Sequence, residues 1–186
     1  MNVSATKRHI RLLAFLMALG LATIPASAQP PKPPALRLLL NEVQPGAMST
    51  EQYCTLVFAD RRFHLEKATL HHGKDSERKV YEGELSETDW NALSGILDSQ
   101  GFRDLKVPQG VAPLVMEDSH PYTISVAREG NFQNMEFLNG KSMKPYESQI
   151  KPLLQWWKSL RGRRMPESGA ADTRCVLDNS HPVVSQ

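Results

Sequence analysis

Residues 80–105, VYEGELSETDWNALSGILDSQGFRDL, predict a strand, a capped helix and a return to extended chain. Ser86 is a favourable helix N-cap, and Asp89 follows three residues later, where it can complete a capping box. The predicted helix has one apolar face at helical spacing, formed by Trp90, Leu93, Ile96 and Leu97. Gly101 is expected to end the helix in the left-handed conformation. The apolar face needs a partner, and a sheet built from the flanking segments is the simplest one.

Alternating apolar residues on both sides of this helix predict the strands of that sheet. The predicted strands comprise residues 36–40, 52–58, 63–68, 79–85, 122–126 and 133–137. Hairpin turns are expected at residues 59–62 and at Glu129-Gly130. The first turn must be either a longer type I variant or mildly strained, because Arg61 stands where a two-residue turn favours glycine.

A second amphipathic helix is predicted near the end of the domain. Its apolar residues follow the i, i+3, i+4, i+7 pattern: Ile150, Leu153, Leu154 and Trp157. Pro152 is expected in the first turn, so that the regular helix begins near Ile150. The order of elements predicts an α+β fold, an antiparallel β-sheet of five to six strands with two α-helices packed on one face.

The N-terminal region has the features of a secretory signal peptide. A basic segment precedes an apolar core, and Ala26-Ser27-Ala28 provides a cleavage site, so residues 1–28 are predicted to be removed. The alternative is an uncleaved N-terminal anchor, but the apolar run is shorter than the roughly 20 residues that a membrane span needs. We expect a periplasmic or secreted protein without a membrane span after cleavage.

The rest of the chain is predicted to contain one domain. Residues 29–35 form a proline-rich spacer, and residues 36–162 form the single α+β domain. Residues 163–186 are expected to be a polar, disordered tail that is tethered through Cys175.

The charge of the chain gives no support to nucleic acid or anionic lipid as a partner. The whole sequence contains 22 basic and 20 acidic residues. The predicted signal peptide contains three of the basic residues and no acidic one, which leaves 19 − 20 = −1. The basic excess therefore belongs to the targeting segment, and the expected partner is a protein or another envelope component.

The two cysteines, Cys54 and Cys175, predict a disulfide in an oxidising compartment. Such a bond would join the C-terminal segment to an early strand. The chain-entropy model gives it a stabilising effect of about 4–5 kcal/mol, and usually less in practice. The alternative is a nucleophilic Cys54, which no CxxC or Cys/His signature accompanies.

Residue types suited to catalysis or metal binding occur without the expected spacing. Asp118-Ser119-His120 contains the residue types of a hydrolase triad, but adjacent residues cannot converge as a triad requires. We interpret this segment as a polar turn.

Histidines and carboxylates also occur close together in the first half of the domain. His64 and Glu66 share one face of a strand, and with His71-His72 they provide ligand types for a metal. Because no metal-site spacing is present, we interpret this group as solvated. Glu82 and Glu84 are interpreted as a wet strand surface. The sequence also lacks a phosphate loop and a dinucleotide fingerprint, and predicts no catalytic residue, metal or cofactor.

Two features are candidate binding surfaces. Trp156 lies beside the apolar stripe of the second helix, where the alternative is a core or rim role. The long loop at residues 106–120 contains the apolar run Leu114, Val115 and Met116, and long loops with apolar content can be recognition loops. The arginines at the end of the second helix, Arg161, Arg163 and Arg164, are interpreted as a solvated helix end.

The chain resembles short exported bacterial proteins of unassigned activity. The resemblance rests on Cys54, the hairpin at residues 58–66, the junction Tyr81-Glu82-Gly83-Glu84-Leu85-Ser86, the late helix at residues 153–157 and Cys175. It supports the disulfide and carries over no functional residue. A weaker, fold-level resemblance is to emfourin-type inhibitors of thermolysin-like metallopeptidases, and it rests on Leu85-Ser86, residues 101–105, the hairpin at residues 122–137 and Pro152-Leu153-Leu154.

We therefore expect a non-enzymatic exported module that binds a protein or envelope component. The emfourin resemblance implies an alternative, a proteinaceous peptidase inhibitor. The hypothesis from a different class is a hydrolase with a site assembled from scattered residues, of which His64 and His120 are the first candidates.

Overall fold

Six antiparallel strands form the sheet on which the domain is built. The strands are β1 (Leu36–Pro45), β2 (Ser49–Phe58), β3 (Arg62–His71), β4 (Glu77–Glu84), β5 (Tyr122–Arg128) and β6 (Asn131–Phe137). Their order in the sheet is β4-β3-β2-β1-β5-β6, with β1 pairing antiparallel with both β2 and β5. The predicted antiparallel sheet in a mixed α and β domain is confirmed.

The computed structural model describes residues 35–71, 76–107, 120–169 and Cys175, which belong to one unit of the chain, Pro34–Gln186. The predicted signal peptide lies outside the described residues, as does the predicted spacer except for Ala35. In the part of the chain that is described, no helix is both long and apolar enough to cross a bilayer.

The alternation of side chains along the strands divides the buried residues between the two faces of the sheet. Leu38, Leu40 and Leu65 face one side, where they form the main core cluster with the helices. Leu39 and Leu56 face the other side, in a smaller cluster that also contains the two cysteines. Cys54 and Cys175 form a disulfide, as predicted.

The described residues form four helices beside the strands, where we predicted two. They are α1 (Glu87–Asp98), α2 (Gln100–Arg103), α3 (Gly140–Met143) and α4 (Glu147–Arg161), with a 3-10 turn at Lys144–Tyr146. Each of the four contributes buried side chains to the main core cluster. The two additional helices have four residues each, too short for the apolar periodicity by which a helix is recognised in a sequence.

The end of α1 differs from the prediction. The helix ends at Asp98, and Ser99 is extended with φ −59° and ψ 141°. The Ser99 side chain accepts a hydrogen bond from the backbone N–H of Phe102 and so caps α2, which contains Gly101. Among the described glycines only Gly130 has a positive φ. The predicted left-handed Gly101 is therefore wrong, because Ser99 separates the two helices without requiring a glycine.

The position of Pro152 in α4 was also predicted wrongly. The helix begins at Glu147, and Pro152 lies inside it rather than in its first turn. The preceding α3 and 3-10 turn already form helical turns, so α4 begins before Pro152, which removes the hydrogen bond that its N–H would give to the Ser148 carbonyl. The buried face of α4 is formed by Ile150, Leu153, Trp157 and Leu160.

Both hairpin turns agree with their sequences. At the β2–β3 turn the Arg61 N–H donates to the Phe58 carbonyl at 3.1 Å, and Arg61 has φ 72°. This is a three-residue loop that ends in a left-handed residue. The turn is therefore longer than a two-residue turn, and it is strained because Arg61 is not a glycine. At the β5–β6 turn the left-handed position is Gly130, with φ 79°.

Candidate functional site

A cleft of about 490 Å³ opens between the C-terminal end of α4 and the helix-side face of β2, β3 and β4. Strand register brings its walls together, because Tyr53 pairs with Lys67 and Leu65 pairs with Tyr81. The polar lining consists of two tyrosines and five cations: Tyr53, Tyr81, Lys67, Lys158, Arg161, Arg163 and Arg164. We call this site the basic cleft.

Arg161 is the most buried cation of the basic cleft. Its guanidinium lies 4.2 Å from the ring centroids of both Tyr53 and Trp157, and it donates to the carboxylate of Glu42. Glu42 is 1% exposed and also accepts from the Tyr122 hydroxyl. Burial alone would raise the pKa of Glu42, but the hydrogen bonds from Tyr122 and Arg161 contribute to a net lowering of its pKa. The carboxylate is therefore ionised and fixes Arg161 in place.

The positive charge of Lys67 is already paired with a carboxylate of the protein. Its ammonium lies 3.0 Å from the carboxylate of Glu51 and 5.3 Å from the centroid of the Tyr53 ring. Hydrogen bonds to Tyr53 and Glu51 raise the pKa of Lys67. This cation stays charged, with a partner already beside it.

Arg163 is neutralised as well, by Asp89 of α1. The guanidinium donates two hydrogen bonds to the carboxylate, at 2.7 and 2.5 Å. The hydrogen bond from Arg163 lowers the pKa of Asp89 to about 2. The pair joins the start of α1 to the segment that follows α4.

Lys158 and Arg164 are the cations of the basic cleft that form no ion pair with a described residue, in contrast to Lys67, Arg161 and Arg163. Both side chains are exposed. An incoming carboxylate would therefore meet these two charges without competition from an ion-pair partner among the described residues.

A row of lysines extends the basic cleft along α4 and the 3-10 turn that precedes it. Lys144, Lys151 and Lys158 are spaced by seven residues, which is about 10 Å along a helix. They line a groove of about 360 Å³ that also contains Leu154, and Lys158 belongs to both the groove and the cleft. Lys151 has only a long contact to Glu147, at 3.9 Å. The two depressions thus form one continuous basic surface.

The opposite face of the sheet carries a second cluster, around His64. The side chains of His64 and Glu66 are 1% and 0% exposed, and His64 Nε2 lies 2.7 Å from Glu66 Oε1. His64 Nδ1 lies 3.1 Å from Glu82 Oε1. The backbone N–H of Cys175 donates to Glu66 Oε1 at 2.9 Å. We call these residues the histidine cluster.

The protonation of the histidine cluster follows from its contacts. Burial alone would lower the pKa of His64, but the hydrogen bonds to Glu66 and Glu82 raise it. Burial would raise the pKa of Glu66, but the hydrogen bonds from His64 and the Cys175 backbone lower it. The contact between the two side chains thus favours the protonated form of His64 and the ionised form of Glu66.

The interpretation of His64 and Glu66 as solvated was wrong. The two do share a strand face, as predicted, but that face is covered. Glu82 keeps a 36% exposed side chain and still contacts His64, so it is only partly the wet surface residue that we expected.

The predicted binding-surface residues lie in different places. Trp156 is part-buried against the core, and its indole N–H donates to the Asp89 carbonyl at 3.3 Å. Leu114, Val115 and Met116 lie outside the described residues, as do Asp118 and Ser119 of the triad-like segment. Trp156 is therefore directed at α1 rather than into the basic cleft.

The two histidines of the hydrolase hypothesis are not brought together. His64 is on β3, and His120 is exposed just before β5. Two strands, β2 and β1, separate β3 from β5, which is a distance of about 14 Å at the usual strand spacing.

Sequence reasoning missed most of the basic cleft. The lysine row is visible in the sequence as a seven-residue spacing, but Tyr53, Lys67 and Tyr81 come from three strands and meet only through the register. In comparisons with known proteins, no family model and no curated protein matches this chain.

Proposed function

We propose that this protein is an exported, non-enzymatic binding module, and that the basic cleft binds a short acidic segment of a partner protein. The observation that carries the proposal is the convergence of five cations and two tyrosines on one cleft, with Lys158 and Arg164 unneutralised by described residues. Export follows from the signal-like N-terminal sequence, and the disulfide is compatible with it.

The distribution of charge favours a short acidic peptide over a polyanion. Three of the five cleft cations have carboxylate partners within the protein, so few positive charges remain for a ligand. Tight nucleic-acid binding needs many phosphate contacts, each made by an available cation. One or two ligand carboxylates match what the cleft offers.

The apolar and aromatic lining favours a peptide over a simple inorganic anion. Leu65, Met165 and the tyrosine rings provide surface on which an apolar or aromatic side chain of the ligand can pack. The lysine row provides further contacts for an extended segment that leaves the cleft along α4. The expected ligand is therefore an extended, acidic, amphipathic segment.

The test is a fluorescence-anisotropy titration of residues 29–186, the proposed mature chain. One probe is a labelled peptide with alternating glutamate and leucine, and the other has glutamine at each glutamate position. We expect measurable binding of the glutamate peptide, with an affinity that falls as salt is added. We also expect the double variant Lys158→Glu/Arg164→Glu to lose about tenfold or more in affinity, which corresponds to about 1.4 kcal/mol.

The matched control is Arg103→Glu/Lys106→Glu, which changes the charge by the same amount at exposed residues outside the cleft. It should bind like the unmodified protein. Equal binding of the two peptides, or equal losses in both double variants, would overturn the proposal. Stronger binding to anionic lipid vesicles than to the peptide would replace it with a membrane ligand.

The identity of the partner is a separate question, which a crosslinking pull-down from envelope extract addresses with the same variants. A partner captured by the unmodified chain and by the control variant, but not by Lys158→Glu/Arg164→Glu, uses the basic cleft. If that partner is a metallopeptidase, the binding module is an inhibitor.

A further inference from the structure

The histidine cluster contains donor atoms of the kinds that bind zinc. A nitrogen of His64, a carboxylate oxygen of Glu66 and the sulfur of Cys175 all lie within 4.8 Å of one another, and the three residues are buried. Imidazole, carboxylate and thiolate are the side-chain groups that form tetrahedral zinc sites. In the oxidised protein the sulfur is held in the disulfide and provides no thiolate.

Cys54 carries the second sulfur, which is bonded to that of Cys175 but lies outside the 4.8 Å group of donor atoms. It is bonded to Cys175, its Cα lies 6.2 Å from that of Cys175, and it is the register partner of Glu66 across β2 and β3. Reduction of the disulfide would free this second thiol to rotate about its Cα–Cβ bond towards the carboxylate of its register partner Glu66, which would supply a fourth donor group.

Two contacts around the cluster match the surroundings of a metal site. His64 Nδ1 faces the carboxylate of Glu82, an arrangement that orients a ligating imidazole and directs its Nε2 atom inward. Glu66 Oε2 is buried and has no hydrogen-bond partner among the described residues. Arg78 lies 3.6 Å from that oxygen and supplies a compensating charge.

We propose that reduction of the Cys54–Cys175 bond converts the histidine cluster into a tetrahedral site for a thiophilic divalent cation such as Zn²⁺. The ligands are Cys54 Sγ, Cys175 Sγ, His64 Nε2 and the Glu66 carboxylate. Two thiolates and one carboxylate with a neutral imidazole and Zn²⁺ carry one net negative charge, which Arg78 balances.

The chemical step balances in two stages. A dithiol reductant exchanges with the disulfide, is itself oxidised to a disulfide, and leaves two thiols on the protein. The metal ion then displaces the two thiol protons, which pass to solvent, and His64 binds it as the neutral imidazole with the remaining proton on Nδ1 facing Glu82.

The test uses Co²⁺ as a spectroscopic substitute for Zn²⁺, added to the protein before and after reduction by a phosphine. The phosphine avoids the competition for metal that a dithiol would introduce, and it is oxidised to its oxide by taking oxygen from water. We expect no thiolate-to-cobalt charge-transfer band in the oxidised protein. After reduction we expect that band, together with tetrahedral d–d bands, at one Co²⁺ per chain, and displacement by Zn²⁺.

The variants separate this site from the binding of metal by any pair of thiols. Glu66→Gln and Glu82→Gln should each weaken binding by at least tenfold, the first as a ligand and the second as the group that orients His64. His120→Gln, which changes an exposed imidazole just before β5, should leave the affinity unchanged. Glu82 is partly exposed, so this variant is the one expected to fold if Glu66→Gln does not.

Circular dichroism of the reduced protein completes the test. A folded reduced protein without the charge-transfer band would overturn the proposal. So would equal affinities in the unmodified, Glu66→Gln and Glu82→Gln proteins, or a reduced protein that unfolds and is not refolded by the metal.

Discussion

Asp89 links the two long helices at the level of single residues. It receives a hydrogen bond from the Ser86 hydroxyl at 2.5 Å and two from Arg163, while its backbone N–H donates to the Ser86 side chain. The predicted N-cap is therefore confirmed, but the carboxylate does not turn back to the Ser86 backbone as a capping box requires. The sequence around α1 contains no sign of Arg163, which lies 74 residues away.

We predict that Asp89→Asn lowers the free energy of unfolding by about 1 kcal/mol at pH 7. The shift of the Asp89 pKa to about 2 implies more, but Arg163 is 42% exposed and solvent screens the pair. The carboxyl pKa is lower in the folded state than its ordinary value of 3.8, so the stabilisation is present above that value and is lost as the pH falls towards 2. Denaturant unfolding at several pH values measures this difference.

Glu87→Gln is the matched control, because it removes a carboxylate from the same helical turn without removing the partner of Arg163. Its effect should be smaller at pH 7. An unfolding difference between Asp89→Asn and the unmodified protein that stays constant from pH 7 to pH 2 would contradict the prediction.

His64 shows what a single sequence leaves undetermined at the residue scale. The alternation of β3 places Phe63 and Leu65 on one face, and His64 and Glu66 on the other. The apolar pair correctly indicates a buried face, but a polar pair is equally typical of a wet face. The burial of His64 and Glu66 depends on residues distant in sequence: Glu82 on β4, and Cys175 of the disulfide.

Two glycines give opposite predictions at the level of secondary-structure elements. Gly83 of β4 pairs with Phe63, and a Cβ added to Gly83 would lie 2.9 Å from the Phe63 ring. A Cβ added to Gly95, on an exposed position of α1, would have no atom within 4 Å. The first substitution therefore causes a clash in the core face, and the second adds only helix propensity.

We predict that Gly83→Ala lowers the free energy of unfolding by about 1–3 kcal/mol, because the Phe63 ring must move. Gly95→Ala should raise it by about 1 kcal/mol. Thermal or denaturant unfolding of the two variants, measured side by side, checks both signs. Stabilisation by Gly83→Ala would show that Phe63 does not pack on this glycine.

The elements themselves were predictable where periodicity is long, and not where it is short. The apolar stripes of α1 and α4 and the alternation of β5 predicted those elements, because each pattern repeats over several residues. Gly101 and Pro152 were assigned by local rules, and both assignments failed. Ser99 separates α1 from α2 without a left-handed glycine, and the 3-10 turn leads into α4 before Pro152 is reached.

At the scale of the whole molecule, the C-terminal segment connects the two faces of the sheet. Met165 packs against the main core cluster on the helix side. The Ser168 N–H donates to the Val80 carbonyl of the edge strand β4 at 2.7 Å, and Cys175 is buried on the opposite side. The described parts of the C-terminal segment therefore contact the edge strand at Ser168 and the opposite face at Cys175, where the disulfide holds the chain.

We predict that Cys54→Ala/Cys175→Ala lowers the free energy of unfolding by about 2–5 kcal/mol without removing the sheet. The bond closes a separation of 121 residues, for which the chain-entropy model gives about 4–5 kcal/mol. The main core cluster contains neither cysteine, so strands and helices should persist at 25 °C. Denaturant unfolding with far-UV circular dichroism measures both properties.

The reduced unmodified protein is the control and should show a similar loss, because reduction removes the same constraint on the unfolded chain. Equal stability of the oxidised protein and the double variant would mean that β4 and the main core hold the C-terminal segment without the bond.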